Sequence, residues 1–258
     1  MTESPKYVVV GRGRWASRMK IILAAESRLF TSIEESRRAR AEDHRAYHDQ
    51  LLSAFRACDA KIAWLCVPPG EHIPVMMKSA VEAGLHVVAE KPWLCSPEET
   101  RDLQALGKAH NALLAVHYEY CLMETVERWR QEWNGGAGLR FGGCMKVPRP
   151  DHIGLPALDN LGSHLFSIHE YCVVNSEITE IDCAYEQPDD RRVWLQKNTK
   201  PIAEIDLLAN KEPIIQRFIS RVEAAIRGSD FPFGLPFALR VAERTALWRQ
   251  QAQHQEQR

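Results

Sequence analysis

Apolar residues in the first half of the chain fall into short continuous blocks, and the stretches between them are amphipathic. Residues 7–10, 61–67, 85–89 and 112–116 are rich in Val, Ile, Leu and Ala, and 29–33 is a further strand candidate. Such blocks are the pattern of strands buried on both faces. Between them, 17–25, 37–55 and the segment from Pro74 to Gly84 carry apolar residues at helical intervals. Gly84 supplies a left-handed helix end. Ser96-Pro97-Glu98-Glu99 opens a further helix, with Ser96 as N-cap, Pro97 in the first turn and Glu99 closing a capping box. Strand and helix in strict alternation predict a parallel sheet covered on both faces, an α/β doubly wound domain.

The order changes after Tyr118. Residues 123–133 read as a helix, 134–138 as a Gly-rich turn, 139–147 as a strand and 148–159 as a loop with three prolines. Residues 178–186, 192–196 and 202–208 are strand candidates with short connections, which favours antiparallel pairing. Residues 214–228 and 237–253 read as helices. The expected organisation is a nucleotide-binding-type α/β domain over 1–118 and a smaller α+β domain over 119–258, with the C-terminal helix able to pack back on the first.

Composition narrows the functional classes. The 258 residues carry 33 Lys plus Arg against 34 Asp plus Glu, a net charge of -1, so no global field gathers nucleic acid or an anionic membrane. No apolar run approaches the roughly 20 residues of a membrane span. The start of the chain has no leader-like apolar region. The seven cysteines are scattered without a C-x-x-C pair, which points to neither a disulfide framework nor a metal site. A reduced, cytoplasmic protein is expected, acting on a small molecule without metal, nucleic acid or membrane, and open to homo-oligomerisation.

Gly11-Arg12-Gly13-Arg14-Trp15-Ala16 follows the first strand directly and opens a helix. This G-x-G-x-x-A is the pattern of a dinucleotide site. The first glycine permits a tight turn, the second lets backbone N–H groups approach a pyrophosphate, and the small third residue allows close helix–strand packing. The acid that grips the adenosine ribose belongs about 20 residues further on, where Glu34 and Glu35 stand. Arg37 and Arg38 follow, and could instead hold a 2'-phosphate. NAD and NADP both remain open.

Three further segments resemble the glucose–fructose oxidoreductase/inositol dehydrogenase (Gfo/Idh/MocA) family. They are Val67-Pro68-Pro69-Gly70-Glu71-His72, the E-K-P of Glu90-Lys91-Pro92, and Gly162-Ser163-His164. The segment from Asn210 through Gly228 resembles the returning helix of that family. The resemblance implies a Rossmann domain followed by an open, mostly antiparallel sheet that builds the substrate pocket. It implies that Lys91 lies between nicotinamide ribose and substrate hydroxyl, that Glu90 anchors the lysine loop, and that the Lys91–Pro92 bond is of the kind the family often keeps cis. His164 would be the general acid/base, His72 and Pro68 would shape the cofactor loop, and Tyr118 and Asn160 would line the substrate pocket. Trp15 would either cover the cofactor or pack under the loop. His169, five residues beyond His164, lies mostly on another helix face.

Two departures stand out. Many relatives carry an aspartate four residues before the histidine, where this chain has Asn160, with Asp159 one residue early. An amide cannot supply the negative charge that raises a histidine pKa. The second domain is also short, so its pocket and the sheet face that relatives use for dimerisation would be reduced. Lys91 and His164 are expected to act on one reacting carbon. The leading expectation is an NAD(P)-dependent oxidoreductase moving hydride to or from a hydroxyl/keto carbon of a sugar, polyol or related metabolite. An imine reductase and a non-catalytic dinucleotide sensor or scaffold are the alternatives.

Overall fold

A computed structural model describes residues 6–34, 43–133, 136–148, 154–209 and 213–256, with backbone alone for 252 and 254–256. By compactness the chain divides into two units, Met1–His117 with Ile219–Leu239, and Tyr118–Phe218 with Arg240–Arg258.

The first unit holds the predicted parallel sheet. Strands β1 (Tyr7–Val10), β2 (Phe30–Ile33), β3 (Ile62–Leu65), β4 (His86–Glu90) and β5 (Leu114–His117) lie in the order β2-β1-β3-β4-β5. All neighbours are parallel. The fully buried β1, β3 and β5 match their uninterrupted apolar sequences, whereas edge strand β2 is only half-buried and carries Thr31 and Ser32. Helices α1 (Arg14–Ala25), α2 (His44–Arg56), α3 (His72–Glu82) and α4 (Pro97–Ala109) connect the strands.

The helix ends follow local chemistry. Asp43 Oδ1 caps α2 by accepting from the N–H groups of Arg45 at 2.8 Å and Ala46 at 3.2 Å. The capping box of Ser96 and Glu99 opens α4, with Pro97 just inside. Gly84, at φ +84, ends α3, and the Leu85 N–H reaches back to the Ala80 carbonyl at 3.0 Å. Two helices start earlier than their apolar spacing suggests. Helix α1 begins at Arg14 rather than at 17, directly after Gly13. Helix α3 begins at His72, because Pro74 in the first turn lacks only an N–H that has no partner there.

In the second unit, α5 (Glu124–Glu132), β6 (Arg140–Lys146), α6 (Ala157–Asn160), α7 (Gly162–Cys172), β7 (Glu177–Ala184), β8 (Asp190–Lys197) and β9 (Lys200–Asp206) follow one another. Helix α6 occupies the end of the predicted 148–159 loop, of which 149–153 lie outside the described residues. The sheet order is β7-β6-β8-β9. Pairing is antiparallel for β6–β8 and β8–β9 but parallel for β6–β7. This corrects the antiparallel reading of the strand after 178. Helices α6 and α7 form a crossover between β6 and β7, and a connection of that length is what parallel neighbours require. Only β8 and β9 form the expected hairpin, turning at Asn198 and Thr199, both at positive φ (51 and 65).

Inward positions of this sheet, Phe141, Met145, Val193, Leu195 and Ile205, pack with Val126 and Trp129 of α5 and Leu165 and Ile168 of α7. A Cβ at Gly143 would come within 2.9 Å of Leu165 Cδ2, so the glycine lets α7 lie close on β6.

Helices α8 (Ile214–Ile226) and α9 (Leu235–Glu256) close the chain. The segment between them returns to the first sheet. Val116 N–H donates to the Phe233 carbonyl at 3.1 Å, and Glu223 Oε1 accepts from the Tyr7 hydroxyl and from Arg28 Nε, both at 2.7 Å.

Candidate active site

In an open parallel sheet, ligands bind outside the strand carboxyl ends where the winding direction reverses. Here that point lies between β1 and β3. Gly11 follows β1 at φ +123, and a Cβ on it would run into the Cys66 carbonyl oxygen just beyond β3. The fold itself therefore demands this glycine. Gly13 is different. Its backbone is ordinary (φ -76, ψ 177), and nothing lies within 4 Å of an added Cβ. It begins α1 without a side-chain cap, and the first turn carries no acid. Open space, N–H groups that no described side chain caps and the positive end of a helix dipole suit a pyrophosphate. Ala16, the third fingerprint position, is fully buried beneath the turn.

Gly13→Ala is accordingly expected to leave stability within about 1 kcal/mol. Dinucleotide affinity should fall roughly ten- to hundredfold, the scale of one lost charge-assisted hydrogen bond. Titration of fluorescence quenching together with a urea melt would check both halves.

The carboxyl ends of β4 and β5 add a polar cluster. Glu90 ends β4, with its side chain 13% exposed. Its Oε1 accepts from the indole N–H of Trp64 at 2.8 Å and from that of Trp15 in the first turn of α1. His117 Nδ1 lies 3.2 Å from the same oxygen. Fully buried His117 also meets Trp64 edge-on at 5.1 Å and Trp15 at 5.7 Å between ring centroids. The pleat explains the grouping: Trp64 pairs with Val88 and Glu90 with His117, so the three side chains share one sheet face.

Half-buried Lys91 comes next, joined to Pro92 by a cis bond. Buried Trp93 pins the loop by donating to Thr100 Oγ1 at 3.0 Å. Pro68 lies in the loop after β3, and His72 opens α3 with its ring against Gly70. Glu34 is exposed just past β2, and Arg12 and Arg14 are exposed in the turn. Glu35, Arg37 and Arg38 lie outside the described residues.

The second unit holds the other candidates. His164, 7% exposed, sits in the first turn of α7 with the Tyr120 ring edge-on at 4.8 Å. The Tyr120 hydroxyl accepts from Arg191 at 3.2 Å, and Arg191 also grips Asp189 at 2.8 and 3.0 Å. Burial pushes the Tyr120 pKa up, which keeps this phenol protonated. Asp159 is held by Arg249, and the Asn160 amide donates to the Tyr185 hydroxyl at 3.1 Å. The acid one residue early is thus committed to α9. Tyr118 is fully buried.

Residues 6–118 match a family described as "Oxidoreductase family, NAD-binding Rossmann fold". The matched residues span the five strands of the first sheet and the helices between them, so the likeness is to the nucleotide-binding part of that family. None of the curated proteins matches the sequence at a significant level. Among solved structures, UDP-N-acetylglucosamine 3-dehydrogenase GnnA from Acidithiobacillus ferrooxidans has a TM-score of 0.78 at 15% identity, over 95% of this chain and 97% of that one. The WlbA dehydrogenase from Bordetella pertussis, solved with NADH and UDP-GlcNAcA, has 0.72 at 15% identity over 96% of each. Biliverdin reductase from Synechocystis sp. PCC 6803, solved with biliverdin and NADP+, has 0.68 at 14% identity over 95% of this chain and 98% of that one. The matching family is described as NAD-binding, and NADH and NADP+ both occur among these solved structures. Among the described residues no helix is long and apolar enough to cross a membrane, and no group of three His, Cys, Asp or Glu could hold a metal ion.

Among the neighbours of the candidate residues, sequence reasoning missed Trp64 and His117 in the first unit and Tyr120 and Arg191 in the second. A signal existed for the first two, since an indole or imidazole inside a buried strand needs a polar partner. His169 has its own structural place. It is fully buried, its Nε2 lies 3.2 Å from the Ser176 carbonyl, and Phe141 meets it edge-on at 5.1 Å. Burial, with the Arg244 charge, pushes its pKa down to about 4 from the ordinary 6.5. The unfolded chain then binds the extra proton between these values, so stability is full above pH 6.5 and falls as the pH drops toward 4. The loss should reach about 2 kcal/mol by pH 5. Urea midpoints at pH 7 and pH 5 would show it, and His169→Gln should flatten the difference.

Proposed function

We propose that the protein transfers hydride between NAD(P)(H) and a hydroxyl or keto carbon of a sugar, polyol or related small metabolite. The carrying observation is the turn around Gly13, with its open approach and uncapped helix start, joined through Trp15 and Glu90 to the strand end that bears Lys91. Gly13 and the N–H groups of Arg14 and Trp15 would hold the pyrophosphate, and Glu34, exposed just past β2, would meet the adenosine ribose. When bound, the nicotinamide supplies or accepts the hydride.

In the oxidation direction the substrate hydroxyl gives its proton to His164 as its carbon loses hydride, and a C=O bond forms. The Lys91 ammonium stabilises the negative charge that develops on that oxygen. Reduction runs the same steps backwards, with His164 returning the proton. The Tyr120 edge fixes the His164 ring. The sugar class is favoured by the names of GnnA, a dehydrogenase of a UDP-sugar, and of WlbA, solved with UDP-GlcNAcA.

The test is a substrate panel of UDP-sugars, free polyols, keto compounds and cyclic imines, each with both dinucleotides, followed by the absorbance of the reduced ring. Turnover of hydroxyl or keto compounds supports the reading. Turnover confined to imines replaces it with C=N reduction. Dinucleotide binding without turnover of any compound makes the protein a sensor or scaffold.

A further inference from the structure

Glu90 makes an unusual set of contacts for a residue beside a candidate catalytic lysine. Three N–H groups converge on one carboxylate: Trp15 from the glycine turn, Trp64 from inside β3 and His117 from the end of β5. Trp64 and His117 are fully buried and belong to rigid strands, so they fix Glu90 from the sheet side. Trp15 is the partner that lies outside the sheet, in the first turn of α1. It stands between Arg14 and Ala16, in the helical turn whose backbone N–H groups face an incoming pyrophosphate, and Arg18 caps its ring at 5.2 Å. The backbone that would receive the dinucleotide and the backbone that carries Lys91 are thus linked by one side chain on each side of a single hydrogen bond.

We propose that Trp15 is a positioning residue, which through Glu90 couples occupancy of the dinucleotide turn to the ordering of the Lys91 loop. The proposal deepens the reading above and rests on dinucleotide binding at the Gly13 turn. Its physical basis is that a ligand which holds the first turn of α1 also holds the Trp15 indole, and with it the Glu90 carboxylate. Local opening of the segment after β4 then has to break a charge-assisted hydrogen bond whose donor can no longer drift. By linkage, an ordered lysine loop in turn tightens the turn on its ligand.

The probe is ADP, which supplies adenosine and pyrophosphate but no nicotinamide end that could touch Lys91 directly. Amide hydrogen exchange is measured over residues 86–96, with and without ADP at concentrations that saturate each variant. In the unmodified protein, ADP should slow exchange there by about fivefold or more. In Trp15→Phe, which keeps a ring but deletes the donor, and in Glu90→Gln, the slowing should drop below about twofold. A variant that is merely loosened would exchange faster in both states and keep its response to ADP. Absence of an ADP effect in the unmodified protein, or its persistence in both variants, overturns the coupling while leaving the redox assignment standing. If neither ADP nor reduced dinucleotide binds at all, the functional reading itself fails, and the coupling with it.

Discussion

Lys91→Ala is expected to lower turnover roughly 10²–10³-fold, the cost of removing one fixed group that stabilises a developing oxyanion. Dinucleotide affinity should change little, because on the proposed reading the backbone of the Gly13 turn holds the pyrophosphate, away from the lysine. The effect therefore belongs in kcat, and KM for the substrate should move less. Lys91→Arg keeps a cation but replaces a compact ammonium with a broad planar fork, so it should restore only part of the rate. Steady-state kinetics on the best substrate from the panel, with affinity for reduced dinucleotide measured in parallel, separates these outcomes. Unchanged turnover in Lys91→Ala would remove the lysine from the chemistry.

The second large effect concerns stability. Glu223, on the segment that returns to the first unit, accepts from Arg28 and from the Tyr7 hydroxyl, and the ion pair is nearly closed to solvent, with side chains 12% and 8% exposed. Glu223→Ala would leave the buried Tyr7 phenol without its acceptor and Arg28 with Glu26 as its remaining partner, at a cost of about 2–3 kcal/mol. Glu223→Gln should cost less, since an amide oxygen still accepts from one of them. Burial alone would push the Glu223 carboxyl up, but Arg28 and Tyr7 together hold it below its ordinary value of 4.5. A depressed folded-state pKa means that this contribution is present above pH 4.5 and is lost as the pH falls below it. Chemical denaturation at pH 7 and pH 4 would show a steeper loss for the unmodified protein than for Glu223→Ala. Equal slopes would assign the acid sensitivity elsewhere.

Several features of the candidate site were legible one residue at a time. The glycine turn announced a ligand because G-x-G between a buried strand and a helix has a specific use for each position. The structure then separates those uses, with Gly11 required by the Cys66 carbonyl and Gly13 left open. Glu90-Lys91-Pro92 drew notice through its place at a strand end. The environment of His164 was less accessible. Asp159 and Asn160 looked like competing partners of the histidine, yet Asp159 is gripped by Arg249 from α9, ninety residues away. Tyr120, which meets His164, and Arg191, which donates to Tyr120, carry no motif at all.

By itself, the sequence determined the elements that depend on neighbours along the chain. The alternating strands and helices, the Ser96–Glu99 capping box, the end of α3 at Gly84 and the turn after β1 all follow from periodicity and backbone chemistry within a few residues. Only the tertiary structure decided which distant groups meet. It set β7 beside β6 in parallel, brought Trp15, Trp64 and His117 to one carboxylate, and closed Tyr7 and Arg28 on Glu223. A buried N–H or carboxylate must find a partner, but which one it finds depends on strand order and helix crossings, and these leave no trace in local spacing.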